Sequence, residues 1–256
     1  MKFMTFNIRV DVPVPENSWS DRKDKVAEVI HQEAPIIVGL QEATPRMLSQ
    51  LMDELPSYSW IGKPRRKEDE CSPILYQKDK VELHDSTTFW LSETPEVEGS
   101  MSWDTSFPRI CTWGEFSLKA EPSTRFRIFN THLDHISEEA RIQGIRLIKD
   151  TIHSINEKQP LPTILMGDFN DTPNSEALAI CEKEMRYTNA FTYINEDEKK
   201  RKTFHDFNGG IEGEPIDYIF ASSDIMLSQS KIIRTKIQNR YPSDHYPVTM
   251  MATFPS

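Results

Sequence analysis

The sequence predicts an α/β protein in which two β-sheets carry helices on their outer sides, and three observations support this. From Lys2 to Leu55, strand-like and helix-like periods alternate as strand, helix, strand, helix, the order expected of an α/β fold. Between Tyr58 and about Ile128 the helical period disappears, and short apolar runs are separated by Pro-containing loops, as in antiparallel sheet. No linker, repeat or low-complexity tract divides the 256 residues, so one domain over residues 1–256 is expected.

Each element has a local reason. Lys2 to Arg9 reads as a first strand. Ser20 to Glu33 reads as a helix with Val26, Val29 and Ile30 on one face, stopped by Pro35, and Ile36 to Leu40 as a short buried strand. Thr44 followed by Pro45 has the chemistry of an N-cap and first helical residue, and Met47, Leu48, Leu51, Met52 and Leu55 supply the buried stripe behind it. Strands follow at Ser72 to Tyr76, Thr87 to Leu91, Ile110 to Leu118 and Phe126 to Asn130. Ser137 then caps the longest helix, in which Ile145, Ile148, Ile152 and Ile155 recur at spacings of three and four. Thr163 to Met166, Pro215 to Phe220 and Pro247 to Phe254 complete the strands.

Composition limits the function. The formal charge is -10, with 27% charged and 37% hydrophobic residues, which argues against a protein that coats long nucleic acid through a basic face. Three widely spaced cysteines, Cys71, Cys111 and Cys181, support neither a disulfide framework nor a cysteine zinc site. Reduced thiols, the lack of a signal-peptide pattern and the lack of a run of ~20 apolar residues point to a cytoplasmic protein with no membrane partner. No segment points to an obligate protein partner. Gly-x-x-x-x-Gly-Lys, Gly-x-Ser-x-Gly and Gly-x-Gly-x-x-Gly are all missing, which removes the commonest NTPase, serine hydrolase and dinucleotide readings.

The informative pattern lies at strand ends. Asn7, Glu42, Asp168 with Asn170, and His132 each end an apolar run, Asp217 lies within one, and Asp244-His245 precedes another. Strand ends on one edge of a sheet are where α/β proteins gather their sites. Together these residues form an oxygen-rich set with two imidazoles, suited to a hard divalent cation and a proton-transferring group.

The segments Thr5-Phe6-Asn7, Gln41-Glu42, Thr131-His132-Leu133-Asp134, Gly167-Asp168-Phe169-Asn170, Ile216-Asp217-Tyr218-Ile219 and Ser243-Asp244-His245-Tyr246-Pro247-Val248 resemble, in order, the motifs of the endonuclease/exonuclease/phosphatase superfamily. Phe89 to Pro95 and Pro108 to Trp113 resemble a branch of compact bacterial members. The resemblance implies a four-layered α/β sandwich of two mixed sheets with helices outside, and Mg²⁺-dependent hydrolysis of phosphate esters, Mn²⁺ being the alternative ion. It implies Glu42 as primary metal ligand, with Asn7 and Asp244 completing or orienting the shell. Asp168 is then expected to orient or deprotonate the attacking water, Asn170 to donate to a phosphate oxygen, and His245 to stabilise transition-state charge while Asp217 fixes its tautomer. Whether Asp168 or His245 takes the water proton stays open at this stage. His132 is expected to face the other side of the phosphate with Glu70 orienting it, and Arg109 to clamp phosphate oxygens with its planar fork.

The expected substrate is a phosphorylated small molecule or a short nucleic-acid end. The alternatives are a DNA or RNA nuclease and, from a different class, a non-catalytic metal- or phosphate-binding module on the same fold. Other motifs rank lower. His132 and His135 lack the third soft ligand of a zinc site, and His205 reads equally as a loop residue or a substrate contact. Trp90, Trp103 and Trp113 read as packing, and the basic run Lys63, Arg65, Arg66 and Lys67, followed at once by Glu68, Asp69 and Glu70, reads as a solvated loop.

Overall fold

The structure, a computed structural model, describes residues 1–255. Two mixed six-stranded sheets face one another. The first has the order β11 (Met226–Ile232), β12 (Val248–Thr253), β1 (Lys2–Asn7), β2 (Ile37–Gln41), β4 (Ile74–Gln77), β3 (Tyr58–Ile61). The second runs β5 (Val81–Trp90), β6 (Ile110–Leu118), β7 (Glu121–His132), β8 (Thr163–Asp168), β10 (Asp217–Ala221), β9 (Thr188–Asn189). Helices α1 (Trp19–Glu33) and α2 (Pro45–Glu54) cover the first sheet, and α3 (Glu138–Lys158) packs with residues of the second. This is the expected sandwich of the endonuclease/exonuclease/phosphatase type.

Strand alternation makes the layers. In β1, Met4 and Phe6 join Val38 and Leu40 of β2 in a cluster with Val26, Val29, Ile30 and Leu48 of the two helices. Phe3 points the other way, into the cluster shared with the second sheet, where it meets Phe126 of β7 edge-on at 6.1 Å. Burying an aromatic side chain of this kind is worth about 1.5–3 kcal/mol. Asn7 shares the parity of Phe3 and therefore faces the inter-sheet space.

The helix ends follow the sequence. Thr44 accepts a hydrogen bond from the Met47 amide (3.3 Å) with Pro45 behind it, and Ser137 accepts from the Ala140 amide (3.1 Å). Helix α1 ends at Glu33, two residues before Pro35, and the intervening Ala34 is left-handed (φ 46°) with its amide donating to the Ile30 carbonyl. The sheets are joined at depth by Asn130 of β7. Its Nδ2 donates to the Leu40 and Pro73 carbonyls (2.8 Å each), and its Oδ1 accepts from Gln41 Nε2 (2.7 Å). Gly39 makes room for this bridge, because a Cβ there would lie 2.7 Å from Asn130 Oδ1.

Several elements were not foreseen. The edge strands β3 and β11, the four-residue helix α4 (Glu176–Ala179) with the π-turn after it, and the short β9 are additions. Strand β5 begins at Val81 rather than Thr87, and β7 extends to His132.

Candidate active site

Strand register brings the site together. Strands β7 and β8 run parallel with His132 opposite Asp168, and β8 and β10 run antiparallel with Asp168 opposite Asp217. Three residues distant in sequence thus lie in one row at the edge of the second sheet. From the first sheet come Asn7 at the end of β1 and Glu42 just past β2, while Asp244 and His245 lie on the approach to β12. Ser243 fastens that approach by donating to the Asn7 carbonyl (2.7 Å).

The chain leaves these strands through unusual backbone. Glu42 (φ 62°), Asn170 (φ 48°) and Arg9 (φ 57°) are all left-handed, a conformation that asparagine tolerates and that costs a glutamate of order 1–3 kcal/mol. The Glu42 carboxylate is held by two donors, Asn7 Nδ2 on Oε1 (3.0 Å) and the Val10 amide on Oε2 (2.8 Å). Gly167, before Asp168, has φ 152°, and a Cβ there would lie 2.0 Å from the Thr131 carbonyl oxygen.

Asp168 is the centre. Its Oδ2 accepts from Asn7 Nδ2 (2.9 Å) and lies 3.6 Å from His132 Nε2 and 3.8 Å from His245 Nε2, while Oδ1 accepts from the Asn170 amide (2.9 Å). Burial first, then the neighbouring Asp217, raises its proton affinity above the ordinary carboxylate range. His245 donates through Nδ1 to Asp217 Oδ2 (2.9 Å). Burial alone would lower its affinity for a proton, but Asp217, Asp168 and Asp244 push it up to about 10. His132 is shifted the opposite way, by burial and by the cationic Arg109.

The site opens into a cavity of about 340 Å³ lined by Glu42, Asp168, Asn170, His132 and His245 on one part and by Arg65, Glu70, Phe107, Arg109 and His135 on another. All ten residues expected from sequence thus lie in this cavity or touch a residue that does, but three contacts differ from expectation. Asn7 presents its NH₂ to Glu42 and Asp168 while its Oδ1 accepts from the Arg9 amide (3.0 Å), which is the orienting one of its two expected roles. Glu70 pairs with Arg65 (3.1 Å), with no hydrogen bond to His132. Arg109 Nε is 3.3 Å from Asp134 Oδ2 and its Nη2 donates to His135 (2.9 Å), so part of the expected phosphate fork is occupied. Asn170 already gives Nδ2 to the Leu133 carbonyl (3.0 Å). Amide and guanidinium groups carry more than one N–H, so Asn170 and Arg109 keep donors to spare.

Two residues were read differently in sequence. Arg65 is buried, not solvated, and lines the cavity; the signal was the Arg65 to Asp69 spacing, now a 2.9 Å ion pair. His205 is buried against Tyr246 (3.9 Å between ring centroids), and its backbone amide holds the Asp244 carbonyl (2.8 Å). Arg22, which carries no sequence signal, is buried and donates to the Ile8, Arg9, Asn17 and Pro242 carbonyls, fixing the end of β1 against the Ser243 approach.

The donor chemistry suits a hard divalent cation. Asn7 Nδ2 bridges the Glu42 and Asp168 carboxylates, and burial, then repulsion from Glu42, raises the proton affinity of Asp244 as well. Such a surplus of buried carboxylate is what a cation would offset. A tighter group, Asp168, Asp217 and His245, has ligand atoms within 4.8 Å of one another, but its His245 Nδ1 is already committed to Asp217. Among the described residues no helix is long and apolar enough to cross a membrane.

Comparison with known proteins gives a consistent pattern. The model of the Endonuclease/Exonuclease/phosphatase family matches residues 4–245. A mannosyl-6-phosphatase of Bacteroides thetaiotaomicron superposes with a TM-score of 0.92 at 28% identity, covering 99% of this chain and 100% of that one. A Bacteroides vulgatus protein described as an endonuclease/exonuclease/phosphatase gives 0.90 at 36% identity, covering 99% and 98%. An uncharacterized protein of Acanthamoeba polyphaga mimivirus is 32% identical over 165 residues, 59% of this chain, and the match spans only 59% of that protein's length.

Proposed function

The chain belongs to the endonuclease/exonuclease/phosphatase family, and on that premise we propose that it is a divalent-metal-dependent phosphoesterase acting on a small phosphorylated metabolite. Members of the family hydrolyse phosphate esters. The observation that carries the reading is Asp168 Oδ2, set 3.6 Å and 3.8 Å from two imidazoles in opposite protonation states and bonded to Asn7. That arrangement supplies a base, a cation and neutral donors around one phosphate.

Glu42 and Asp244 would hold the cation, with Asn7 keeping Glu42 and Asp168 apart and oriented. When bound, Mg²⁺ or Mn²⁺ supplies charge neutralisation at the phosphate and lowers the proton affinity of a coordinated water. Asp168 takes a proton from the attacking water; its raised affinity brings it toward the working pH, where a general base is most effective. His245, held protonated by Asp217, keeps its Nε2–H for the charge that develops on phosphate oxygens. His132 and the free N–H groups of Asn170 and Arg109 bind the phosphate as neutral and cationic donors. This ordering of roles favours Asp168 over His245 as the base.

A cavity of about 340 Å³ supports a compact substrate, as does the -10 charge of the chain. The likeness to a mannosyl-6-phosphatase points in the same direction. The test is hydrolysis of phosphomonoesters, linear and cyclic diesters, single strands and duplexes by purified protein with Mg²⁺, Mn²⁺ or chelator. Metal-dependent release of phosphate from small monoesters is expected, together with a metal-induced rise in Tm that Glu42→Ala abolishes. Preference for oligonucleotides, with steep loss of activity as salt rises, would instead establish a nuclease.

A further inference from the structure

Arg65 sits in the cavity wall in an unusual state for a basic residue beside a phosphate site. It is 7% exposed, its Nε donates to Asp69 Oδ2 (2.9 Å), Nη2 donates to Glu70 Oε1 (3.1 Å), and Nη1 lies 3.1 Å from Glu70 Oε2. Its carbonyl accepts from the Trp90 indole (2.8 Å), so the backbone is pinned too. The guanidinium carbon stands 4.8 Å from the centroid of Phe107, a ring that is 44% exposed and stacked on His135 at 5.9 Å. Nothing in the hydrolytic reading uses this assembly.

Its chemistry is selective. Of the five N–H donors of a guanidinium, three face the two carboxylates and two are left. Each Glu70 oxygen keeps a second lone pair. The wall therefore offers fixed donors next to fixed acceptors with little net charge. A second anionic group would meet Asp69 and Glu70 and find the Arg65 charge already offset. Hydroxyls, which donate and accept at once, fit such a wall, and the exposed part of Phe107 offers apolar contact beside it. Position adds to this. Arg65 and Glu70 line the same cavity as Arg109 and His132, so they adjoin the residues that bind the phosphate and would meet the group that bears it. The cavity of about 340 Å³ is at the lower end of the roughly 300–1,000 Å³ range of small-molecule sites, room for one ring and its phosphate.

We propose that Arg65, Glu70 and Phe107 form a hydroxyl-reading subsite that selects a phosphorylated pyranose, its vicinal hydroxyls bound by the Arg65–Glu70 pair and its apolar carbons against the exposed part of Phe107. The subsite rests on the phosphomonoesterase reading above, and it assigns specificity to three residues outside the hydrolytic set.

The experiment compares kcat/KM for hexose 6-phosphates, for cyclohexylmethyl phosphate, which keeps the ring and lacks the hydroxyls, and for a 5′-mononucleotide. Wild-type protein should prefer a hexose phosphate over the cyclohexyl analogue by about tenfold or more. Glu70→Gln and Phe107→Ala should each cut that ratio by about tenfold, chiefly through KM for the sugar, as loss of binding remote from the reacting atoms does. Phe107 is exposed, so its truncation leaves the fold intact, and Tm verifies this for both variants. An unchanged ratio in both variants, or faster turnover of the mononucleotide than of any hexose phosphate, overturns the subsite while leaving the phosphomonoesterase in place. Absence of hydrolysis on every monoester overturns both.

Discussion

His132 and His245 each bring Nε2 within 4 Å of the same oxygen, Asp168 Oδ2, and both are buried, yet their surroundings shift their proton affinities in opposite directions. Burial disfavours the cation in both rings. The difference lies in the second neighbour. His245 has the Asp217 carboxylate on Nδ1 at 2.9 Å, whereas His132 faces Arg109 and has no such acid, Glu70 being paired with Arg65. One site thus contains two imidazoles biased oppositely, His245 toward its protonated form and His132 toward its neutral form.

The comparison can be broken most strongly at Asp217. Asp217→Asn removes the charge that keeps His245 protonated, and kcat should fall by about 10²–10⁴-fold, the range of a lost acid–base partner. A pH signature accompanies it. In the wild-type protein His245 binds its proton more tightly folded than unfolded, so this stabilisation is complete below about pH 6.5 and is lost as pH rises through about 10. Denaturant titrations of metal-free protein at the two ends of that window should show the loss in wild type and not in Asp217→Asn. Equal losses in both proteins would remove the explanation given for the two rings.

Asp134 offers a smaller lever, through the cation that faces His132. Its carboxylate collects Arg109 Nε, the Thr105 hydroxyl and the Ser106, Ile136 and Ser137 amides. Burial opposes the charge, but those amides and Arg109 hold the carboxyl down to about 2. Asp134→Asn should cost about 1–3 kcal/mol of stability at neutral pH. Because the folded affinity is depressed, the difference from wild type should be full above about pH 4 and shrink as pH falls toward 2. A difference independent of pH would mean that packing, not charge, sets it. The smallest effect is expected at His132 itself. As a neutral hydrogen-bonding group worth about 0.5–1.5 kcal/mol, its replacement in His132→Gln should lower kcat/KM by about threefold to tenfold without altering alkaline stability.

Legibility in the sequence followed burial and periodicity. The apolar strands and the capped helices were readable because their signals are local: alternation in Thr5-Phe6-Asn7, the Thr44-Pro45 start, the isoleucine stripe of α3. Strand β11 escaped because Ser228-Gln229-Ser230-Lys231 is polar and its register shifts between Leu227 and Gln229. The early part of β5, Glu82 to Ser86, escaped for the same reason, being largely exposed and irregular opposite β6. At the site, residue types were legible, and of the two acid–imidazole pairs that the resemblance implies, His245 with Asp217 forms and His132 with Glu70 does not. Glu70 looked like a partner for His132, and only the turn closed by the Arg65 amide on the Glu70 carbonyl (2.8 Å) gives it to Arg65 instead.

The sequence by itself determined which polar residues stand at the ends of apolar strands, the place where α/β proteins gather their sites. It also determined the α/β alternation. Tertiary structure decided which of the expected pairs form. The register that sets His132, Asp168 and Asp217 in one row, the bond that commits His245 to Asp217, and the burial of Arg65 beneath Phe107 all join segments far apart in the chain. The physical reason is that a charge state depends on neighbours within a few ångströms and on access to water, and both are fixed only when the two sheets close on one another.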